Sequence, residues 1–580
     1  MFNLMTKITF NDGMKIYWDH PIQMEDGVKL RADIFCPAKN GKHPVIMTYG
    51  VYGKWLDFRD GYKPQWDIMV DKFPEVMNNS SSKYQNWEVV DPEKWVPDGY
   101  VCVRIDSRGA GRSPGYLDPF SPRETKDFYN CIQWAAEQEW SNGKIGLNGI
   151  SYYAINQWQV AELEPPNLAA MCIWEGAHDL YREWAYHGGI YCTYGGNWYK
   201  GRCIPRQHGL GVNGYKARIN GDYVSGPLTL SNEELGYNRT NMNSDMSNNK
   251  LITDQYWQDR IPDFSKITVP VLSAANWGGQ SLHSRGNFEG FNKIASAEKW
   301  LEVHGLEHWT EFYTDYGINI QKRFFGYYLK GEDNNWQNEP RVTLQVRYPG
   351  DKFVERKENE WPLERTNWTK LYLTPSGALQ FEEQRFEKTK IEYDGFGEGI
   401  TFISQPIASE TEITGPMASK LFVSSETVDA DLFLVVRVFT EDFKEVTFKG
   451  ALDPNTPVGQ GWLRASHRKL DQKMSKPYRP YYAHDEIQLL QPQKIYELDI
   501  EIWPTSIVIP KNYRIGLTVR GRDYVNQSGG GSTLPNMNKF SGCGPFLHND
   551  PDDRPLDVFG KKISLHFSEK EIPYLMLPVI

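Results

Sequence analysis

Short apolar runs alternate with longer amphipathic stretches over the first half of the chain. The runs HPVIMTYG (43–50), YVCVRIDSRG (100–109) and KIGLNG (144–149) are bounded by turn residues, and the segment FYNCIQWAAEQEW (128–140) between them has helical periodicity. Buried parallel strands give such continuous apolar runs, and helices connect them. The runs VPVLSAANWGG (269–279) and KWLEVHG (299–305) continue the pattern. We therefore predict an α/β fold with a doubly wound sheet.

The pattern changes twice along the chain. Between residues 180 and 259 it gives way to YREWAYHGGIYCTYGGNWYKGR and then to Asn-rich sequence, which predicts an inserted cap, because α/β folds carry binding elements in such loops. From residue 332 onwards, short alternating segments such as LFLVVRVFT and YELDIEIW predict an all-β sandwich or jelly roll. The expected domains are a core (1–179 and 260–331), a helical cap (180–259) and a β domain (332–580), with a glycine-rich loop at 529–531.

Composition narrows the function classes. The chain has 74 acidic and 64 basic side chains and a net charge of −10, which gives no electrostatic footprint for nucleic acid or anionic membranes. No apolar run approaches the roughly 18 residues that span a bilayer, and the N-terminus lacks a signal-peptide core. The seven cysteines form no C-x-x-C pair and are odd in number, so reduced thiols are expected. We expect a cytoplasmic protein that acts on small molecules, with homo-oligomers possible.

Gly149-Ile150-Ser151 forms the first half of a nucleophile elbow, G-x-S-x-G. The serine lies between the predicted strand KIGLNG and the helical segment INQWQVAEL, which is the strand–turn–helix context that the elbow requires. The second glycine is absent, because Tyr153 occupies its place. The alternative interpretation is a serine that N-caps the helix. The residues alone leave both interpretations open.

A longer stretch decides between them. The segment GISYYAINQWQVAE (149–162), followed by DLYREW (179–184), resembles the cocaine esterase family, which includes α-amino-acid ester hydrolases and glutaryl acylases and is related to X-Pro dipeptidyl peptidases. The elbow of that family is G-x-S-Y-x-G, so Tyr152 matches and the second glycine is replaced by Ala154. The resemblance implies an α/β-hydrolase core, a helical cap and a C-terminal jelly roll.

The resemblance also implies an oxyanion hole. In that family, a tyrosine hydroxyl early in the chain and the backbone N–H after the nucleophile bind the developing alkoxide. The matching residues are Tyr52, with Tyr49 as a nearby alternative, and Tyr152. Two such donors are what acyl transfer needs.

A histidine beyond Ser151 is expected as general base if the order is serine, acid, histidine. His308 follows the predicted strand KWLEVHG and matches the catalytic histidine of the family, while His283 and His304 are rivals. The segment HGLEH (304–308) also fits the inverted zincin pattern, whose zinc site requires both histidines on one helix face. Gly305 interrupts such a helix, so a zinc peptidase is the less favoured alternative.

The acid of the triad is missing from its expected place. The resemblance puts it in a G-W-x-D loop, but this chain has Asn-Trp-Gly-Gly at 276–279. Our hypothesis is that Glu175 replaces it, because Glu175 ends the predicted strand NLAAMCIWEG at the same sheet edge and keeps the order serine, acid, histidine. The rivals are Asp179, Glu289 and Glu307.

These residues predict a serine hydrolase that cleaves an ester or amide through an acyl-enzyme on Ser151, with His308 as base and Glu175 as acid. No cofactor or metal is expected. The alternatives are an X-Pro dipeptidyl peptidase, the zinc peptidase described above and a binding protein without turnover.

Overall fold

The computed structural model describes residues 6–526 and 542–580, so the glycine-rich loop expected at 529–531 lies outside the described residues. The first of its two large sheets has eleven strands among the described residues. Their spatial order is Lys7–Asn11, Met14–Gln23, Lys29–Pro37, Val101–Asp106, His43–Gly50, Ser141–Ile150, Leu168–Trp174, Val271–Asn276, Lys299–His304, Val342–Tyr348 and Lys352–Glu358.

The centre of this sheet is parallel, as the apolar runs predicted. All pairings from Val101–Asp106 across to Val342–Tyr348 are parallel. Every residue of Val101–Asp106 and of Val271–Asn276 is buried. Because the carboxyl ends of parallel strands meet at one edge, Ser151, Glu175 and the loop after Asn276 all emerge on the same side of the molecule.

Helices cover both faces of the first sheet. On one face, the helices Pro122–Ala136 and Tyr152–Ala161 share an apolar cluster with the central strands, and on the other face Asp315–Phe325 packs in a second cluster. The helix Ser284–Lys293 packs on the strand Val271–Asn276. Further helices, most of them only one turn long, lie in the connections: Phe58–Gly61, Lys63–Lys72, Pro74–Met77, Pro92–Trp95, Val96–Asp98, Phe264–Lys266, Glu311–Tyr313, Gly326–Lys330 and Trp336–Asn338.

The first sheet extends past residue 331, where the sequence placed the end of the core. Val342–Tyr348 pairs in parallel with Lys299–His304, and Lys352–Glu358 forms a hairpin with it. A hairpin of alternating strands has the same local pattern whichever sheet it joins, so the sequence did not show that these strands complete the hydrolase sheet.

The segment predicted as a cap consists mainly of short helices and loops. It includes a two-stranded sheet of Tyr186–His187 and Ile190–Tyr191. Its helices are Leu180–Ala185, Tyr194–Trp198, Tyr199–Cys203, Ile204–Arg206, Gly211–Asn213, Asn232–Tyr237, Met242–Asn248 and Gln255–Gln258.

The second large sheet closes on itself, because Thr411–Ser425 pairs both with Tyr496–Ile509 and with Tyr574–Val579. Its interior is a separate apolar cluster. The remaining strands are Asn367–Leu373, Ala378–Gln380, Thr389–Asp394, Ile400–Ser404, Asp431–Phe439, Glu445–Val446, Gly459–Arg464, Arg514–Arg520 and Lys562–Phe567, with short helices at Ala465–His467 and Leu556–Phe559. Among the described helices, none combines the length and apolar character needed to cross a membrane.

Candidate active site

Ser151 lies in a sharp turn between the strand Ser141–Ile150 and the helix Tyr152–Ala161. Its backbone has φ 57° and ψ −112°, a strained conformation for a residue with a side chain. Its hydroxyl caps no backbone N–H of the helix. The hydroxyl oxygen instead lies 3.1 Å from Nε2 of His283. This geometry matches a nucleophile. The hydrogen bond to the helix that an N-cap serine would make is not formed.

The alanine that replaces the second elbow glycine is accommodated by a glycine on the neighbouring loop. A Cβ atom added to Gly176 would lie 2.9 Å from the Cβ of Ala154, which is closer than such carbons pack. The methyl group of Ala154 therefore occupies space that Gly176 leaves free. Gly149 is also required, since its φ is 155° and a Cβ there would lie 2.5 Å from the Cβ of Tyr153.

Two histidines lie next to the serine. The rings of His283 and His308 stack with centroids 4.7 Å apart and planes within 12°. His283 contacts Ser151, whereas Nε2 of His308 lies 2.9 Å from Oε1 of Glu88. The predicted base His308 thus follows its strand as expected, but in this structure its rival His283 makes the hydrogen bond with the serine. His283 lies at the end of the loop that follows the strand Val271–Asn276, directly before the helix Ser284–Lys293.

Glu175 is in contact with the predicted base. Its Oε2 lies 2.8 Å from Nδ1 of His308, and its Oε1 lies 3.1 Å from Nε2 of His304. The side chain is fully buried. Asn276 ends the strand before the loop that lacks the aspartate, and its Nδ2 donates to Oε1 of Glu175 over 3.2 Å. Glu175, at the end of the neighbouring strand Leu168–Trp174, therefore places a carboxylate at Nδ1 of His308. This is the nitrogen that the acid of a catalytic triad orients.

The three rival acids have other partners. Asp179 pairs with Arg182, Glu289 lies 2.6 Å from an Nη1 atom of Arg479, and Glu307 lies 3.0 Å from Nζ of Lys72. These three rivals thus form ion pairs with cationic side chains, and among the four candidates in the described chain, Glu175 is the one with a hydrogen bond to His308.

The carboxylates and histidines shift one another's pKa values. Burial alone would lower the pKa of His308, but Glu175 and Glu88 raise it to about 9. Burial alone would raise the pKa of Glu175, but His308 and His304 lower it to about 2. Burial, together with the charge of His308, lowers the pKa of His283 well below its usual value. At neutral pH, His308 is therefore cationic and His283 is neutral.

Glu88 is a site residue that sequence reasoning missed. It is 2% exposed, has φ 63° and accepts a hydrogen bond from His308 at Oε1, while Oε2 has no partner among residues 6–526 and 542–580. Its backbone carbonyl accepts the N–H of Ile150, which precedes the nucleophile. No motif surrounds it in NWEVVDPEKW, so its role depends on contacts between distant parts of the chain.

The two predicted oxyanion-hole residues come from different elements, Tyr52 from the loop after the strand His43–Gly50 and Tyr152 from the first turn of the helix after the serine. Tyr52 lines the same cavity as Ser151, and its hydroxyl accepts a hydrogen bond of 3.1 Å from Nε1 of Trp198. The ring of the rival Tyr49 instead stacks on that of Phe128, with centroids 4.8 Å apart. Both belong to the apolar cluster that the helices Pro122–Ala136 and Tyr152–Ala161 share with the central strands. Tyr152 is the first helical residue after the serine, so its N–H is among those that a helix leaves without an internal partner.

These groups open into a cavity of about 510 Å³. The core, the cap and the β domain all contribute to its wall, and most of its large side chains are aromatic. The lining residues are Tyr52, Tyr62, Gln65, Trp87, Glu88, Ser151, Tyr194, Asn197, Trp198, Lys200, Gly201, Arg202, His283, His308, Leu452 and Pro545. A mostly apolar cavity of this size with a few convergent polar groups is typical of a small-molecule site.

The HGLEH segment does not have the helical arrangement of an inverted zincin. The strand ends at His304, and a loop carries His308. Among the described residues, two groups have three potential metal ligands close together: Glu175, His283 and His308; and His187, Cys192 and His548. In the first group, the nearly parallel stacking of the imidazoles places their lone pairs in separate planes, which does not suit a tetrahedral ion.

The β domain holds the loops of the site in place. The N–H of Ala451 donates to the carbonyl of Gly278, and the N–H of His308 donates to the carbonyl of Ala451, each over 3.0 Å. Leu452 lines the cavity itself. One strand connection of the β domain therefore bridges the two loops that carry the histidines.

A chain that ends at Glu358 would keep the first sheet complete but lose this bridge. We expect it to be insoluble or to lose at least about 100-fold in kcat/KM, because small displacements of catalytic groups are costly and an apolar interface becomes exposed. Size-exclusion chromatography and ester hydrolysis would measure both effects. A soluble fragment with full activity would show that the β domain is an independent appendage.

Comparison with known proteins agrees with this geometry. The model of the X-Pro dipeptidyl-peptidase (S15) family matches residues 26–310, and that of the X-Pro dipeptidyl-peptidase C-terminal non-catalytic domain matches residues 334–544. A solved CocE/NonD family hydrolase from Staphylococcus aureus is 32% identical, with 98% of this chain and 94% of that chain covered and a TM-score of 0.83. The chain belongs to the CocE/NonD hydrolase family.

Two further relatives are similar over much of this CocE/NonD hydrolase. Cocaine esterase of Rhodococcus sp. (strain MB1 Bresler) is 24% identical, covering 96% of this chain and 97% of its own. Xaa-Pro dipeptidyl-peptidase of Ligilactobacillus salivarius is 21% identical, covering 80% of this chain and 64% of its own. The family predicted from the elbow is confirmed, and the protein is a serine hydrolase that acts on ester or amide bonds.

Proposed function

We propose that this CocE/NonD hydrolase cleaves a small-molecule ester through an acyl-enzyme on Ser151. The observation that carries the proposal is the meeting of a strained, uncapped serine, two histidines and a buried carboxylate in one aromatic cavity. Ser151 Oγ attacks the acyl carbon, its proton passes to the leaving alcohol, and water then releases the acid and restores the serine.

His308 is proposed as the base and Glu175 as the acid that fixes its tautomer. This assignment is supported by the chain order, by the 2.8 Å hydrogen bond between Oε2 of Glu175 and Nδ1 of His308, and by the complete burial of that carboxylate. For the reaction, Nε2 of His308 must turn from Glu88 to the serine. Tyr52 and the N–H of Tyr152 are proposed to bind the oxyanion, each contributing about 3–4 kcal/mol.

Histidine variants test which ring is the base. We expect His308→Gln to lose about 10⁴-fold in kcat and His283→Gln to lose less than about 100-fold, because, of the two described histidines that line the cavity, His308 is the one with a carboxylate at Nδ1. Steady-state hydrolysis of 4-nitrophenyl esters at saturating substrate measures both losses. The opposite order of losses would make His283, which contacts the serine in the structure, the base.

The activity is expected to rise with pH. A base must be unprotonated, and the pKa of His308 is raised to about 9 by Glu175 and Glu88, so kcat/KM should increase up to about that pH. Glu88→Gln removes one of the two carboxylates and should move the acidic limb to lower pH, because the imidazolium loses a stabilising charge. A profile of kcat/KM from pH 5 to pH 10 measures the shift. An unmoved limb would mean that Glu88 does not set the pKa of the base.

X-Pro dipeptidyl peptidase activity is the second candidate, and it is favoured by the two family models and by the Ligilactobacillus relative. Fluorophosphonate labelling followed by parallel assays with 4-nitrophenyl esters and X-Pro nitroanilides separates the two. A labelled enzyme that cleaves only the nitroanilides would overturn the esterase proposal.

We also propose that the closed β domain is a jelly roll, as the resemblance implied. Its long strands Thr411–Ser425 and Tyr496–Ile509 and its single apolar interior support this. A cytoplasmic location is proposed as well, and it is supported by the seven cysteines, which are all buried and free.

A further inference from the structure

We propose that the substrate carries a carboxylate, which binds to a basic segment of the cap. This segment, Tyr199–Arg206, has the sequence YKGRCIPR and carries Lys200, Arg202 and Arg206. The inference rests on the proposed esterase function and names the class of substrate.

The three cations have no carboxylate partner within the described residues. Arg206 is 1% exposed, and its Nη1 donates to the backbone carbonyls of Gly201 and Arg202, each over 3.1 Å. Its Nε and Nη2 have no hydrogen-bond partner in the part of the chain that the structure describes. By contrast, the buried Arg464 has carboxylate oxygens of Asp431 2.8 and 2.9 Å away. Burying a guanidinium without a counter-ion costs free energy, so an anion bound near the basic segment would be stabilised by its charge.

The charge of the basic segment faces the catalytic cavity. Lys200 and Arg202 line the cavity that contains the nucleophile. The guanidinium carbons of Arg202 and Arg206 lie 4.6 and 5.6 Å from the centroid of the Tyr62 ring. Tyr62 stacks on Trp87 at 4.0 Å, and the centroid of Trp87 is 6.3 Å from that of His308. The guanidinium groups of Arg202 and Arg206 therefore lie against Tyr62, the first of a row of aromatic rings that leads to the predicted base.

The cavity does not neutralise these cations itself. Among its lining residues, Glu88 is the one carboxylate, and its Oε1 is bonded to His308. A substrate carboxylate would form charge-assisted hydrogen bonds with Lys200 or Arg202, while the aromatic side chains contact its apolar part. The substrates that fit are half-esters of dicarboxylic acids and esters whose leaving group is a carboxylated alcohol or phenol.

Matched ester pairs that differ by one charge test the inference. Mono(4-nitrophenyl) adipate and methyl 4-nitrophenyl adipate place the charge on the acyl side, and 4-acetoxybenzoate and its methyl ester place it on the leaving group. We expect the anionic member of at least one pair to have a kcat/KM about tenfold higher, mainly through KM, with the preference shrinking as salt is added.

Charge-removing variants locate the effect. Arg202→Gln and Lys200→Gln should each lower kcat/KM about tenfold more for the preferred anionic ester than for its neutral partner. Lys216→Gln is the matched control, because Lys216 is an exposed cap lysine outside the cavity lining, and it should change neither ester. Equal kinetics for charged and neutral esters, unaffected by Arg202→Gln, would overturn the inference.

Fluorophosphonate labelling separates failure of the inference from failure of the proposed function. An enzyme that is neither labelled nor active on any of the four esters contradicts the esterase itself. An enzyme that is labelled but prefers neutral esters contradicts only the carboxylate. If a labelled enzyme turns over none of the four esters, adipate should still slow labelling more than dimethyl adipate does, and equal protection by the two would count against the inference.

Discussion

Ser151→Ala is expected to abolish both hydrolysis and fluorophosphonate labelling. The side chain is 6% exposed at the cavity wall, and its oxygen is the atom that forms the acyl bond in the proposed reaction. Removing a nucleophile of this kind leaves only the catalysis by the oxyanion hole and by binding, so we expect kcat to fall by at least about 10⁴-fold. Labelling detected by gel fluorescence and hydrolysis of 4-nitrophenyl acetate measure the two losses.

The control is a nearby serine that the mechanism does not use. Ser284 is fully buried at the start of the helix after His283, and its hydroxyl bonds to no group of the described chain. Ser284→Ala should keep labelling and activity within about threefold of the wild type, since it removes one hydroxyl and leaves the shape of the side chain nearly unchanged. If Ser151→Ala retains near wild-type turnover while remaining folded, the serine-hydrolase mechanism at this residue is wrong.

Glu175→Gln is expected to lower kcat by about 10⁴-fold, or roughly 5.5 kcal/mol in activation free energy. The amide keeps the size of the side chain but no longer carries the charge that stabilises the imidazolium of His308, and it can hold the wrong tautomer. The loss should be largest above about pH 9 and smaller at neutral pH, because removing Glu175 also lowers the pKa of His308. Loss of a merely structural contact would instead lower the melting temperature and leave kcat per folded enzyme nearly unchanged.

The matched controls are Asp179→Asn and Glu307→Gln, which remove rival carboxylates that pair with Arg182 and Lys72. Both are expected to stay within about tenfold of wild-type kcat, a change near 1.4 kcal/mol. If Glu175→Gln also kept kcat within about tenfold of the wild type, Glu175 would not be the acid of the triad.

The sequence by itself determined the parts of this protein that depend on local pattern. Continuous apolar runs predicted the parallel strands, and helical periodicity predicted the helices Pro122–Ala136 and Tyr152–Ala161. The strand–turn–helix context of Ser151 and the position of His308 after a strand were visible in the same way. Helices and strands bury one face through residues that are close together in the chain. They therefore appear in the sequence as a periodic pattern of apolar and polar positions.

Only the tertiary structure decided how the site is assembled. Glu175 meets His308 across 133 positions, and Glu88 meets it across 220, because neighbouring strand ends and loops converge at one sheet edge. The contact of His283 with Ser151 depends on the conformation of the loop at 277–283. The hairpin at 342–358 joins the first sheet by pairing with the strand Lys299–His304, and the residues of the hairpin do not specify that partner. Such contacts are selected by long-range packing and charge compensation, which a single sequence does not display in any local pattern.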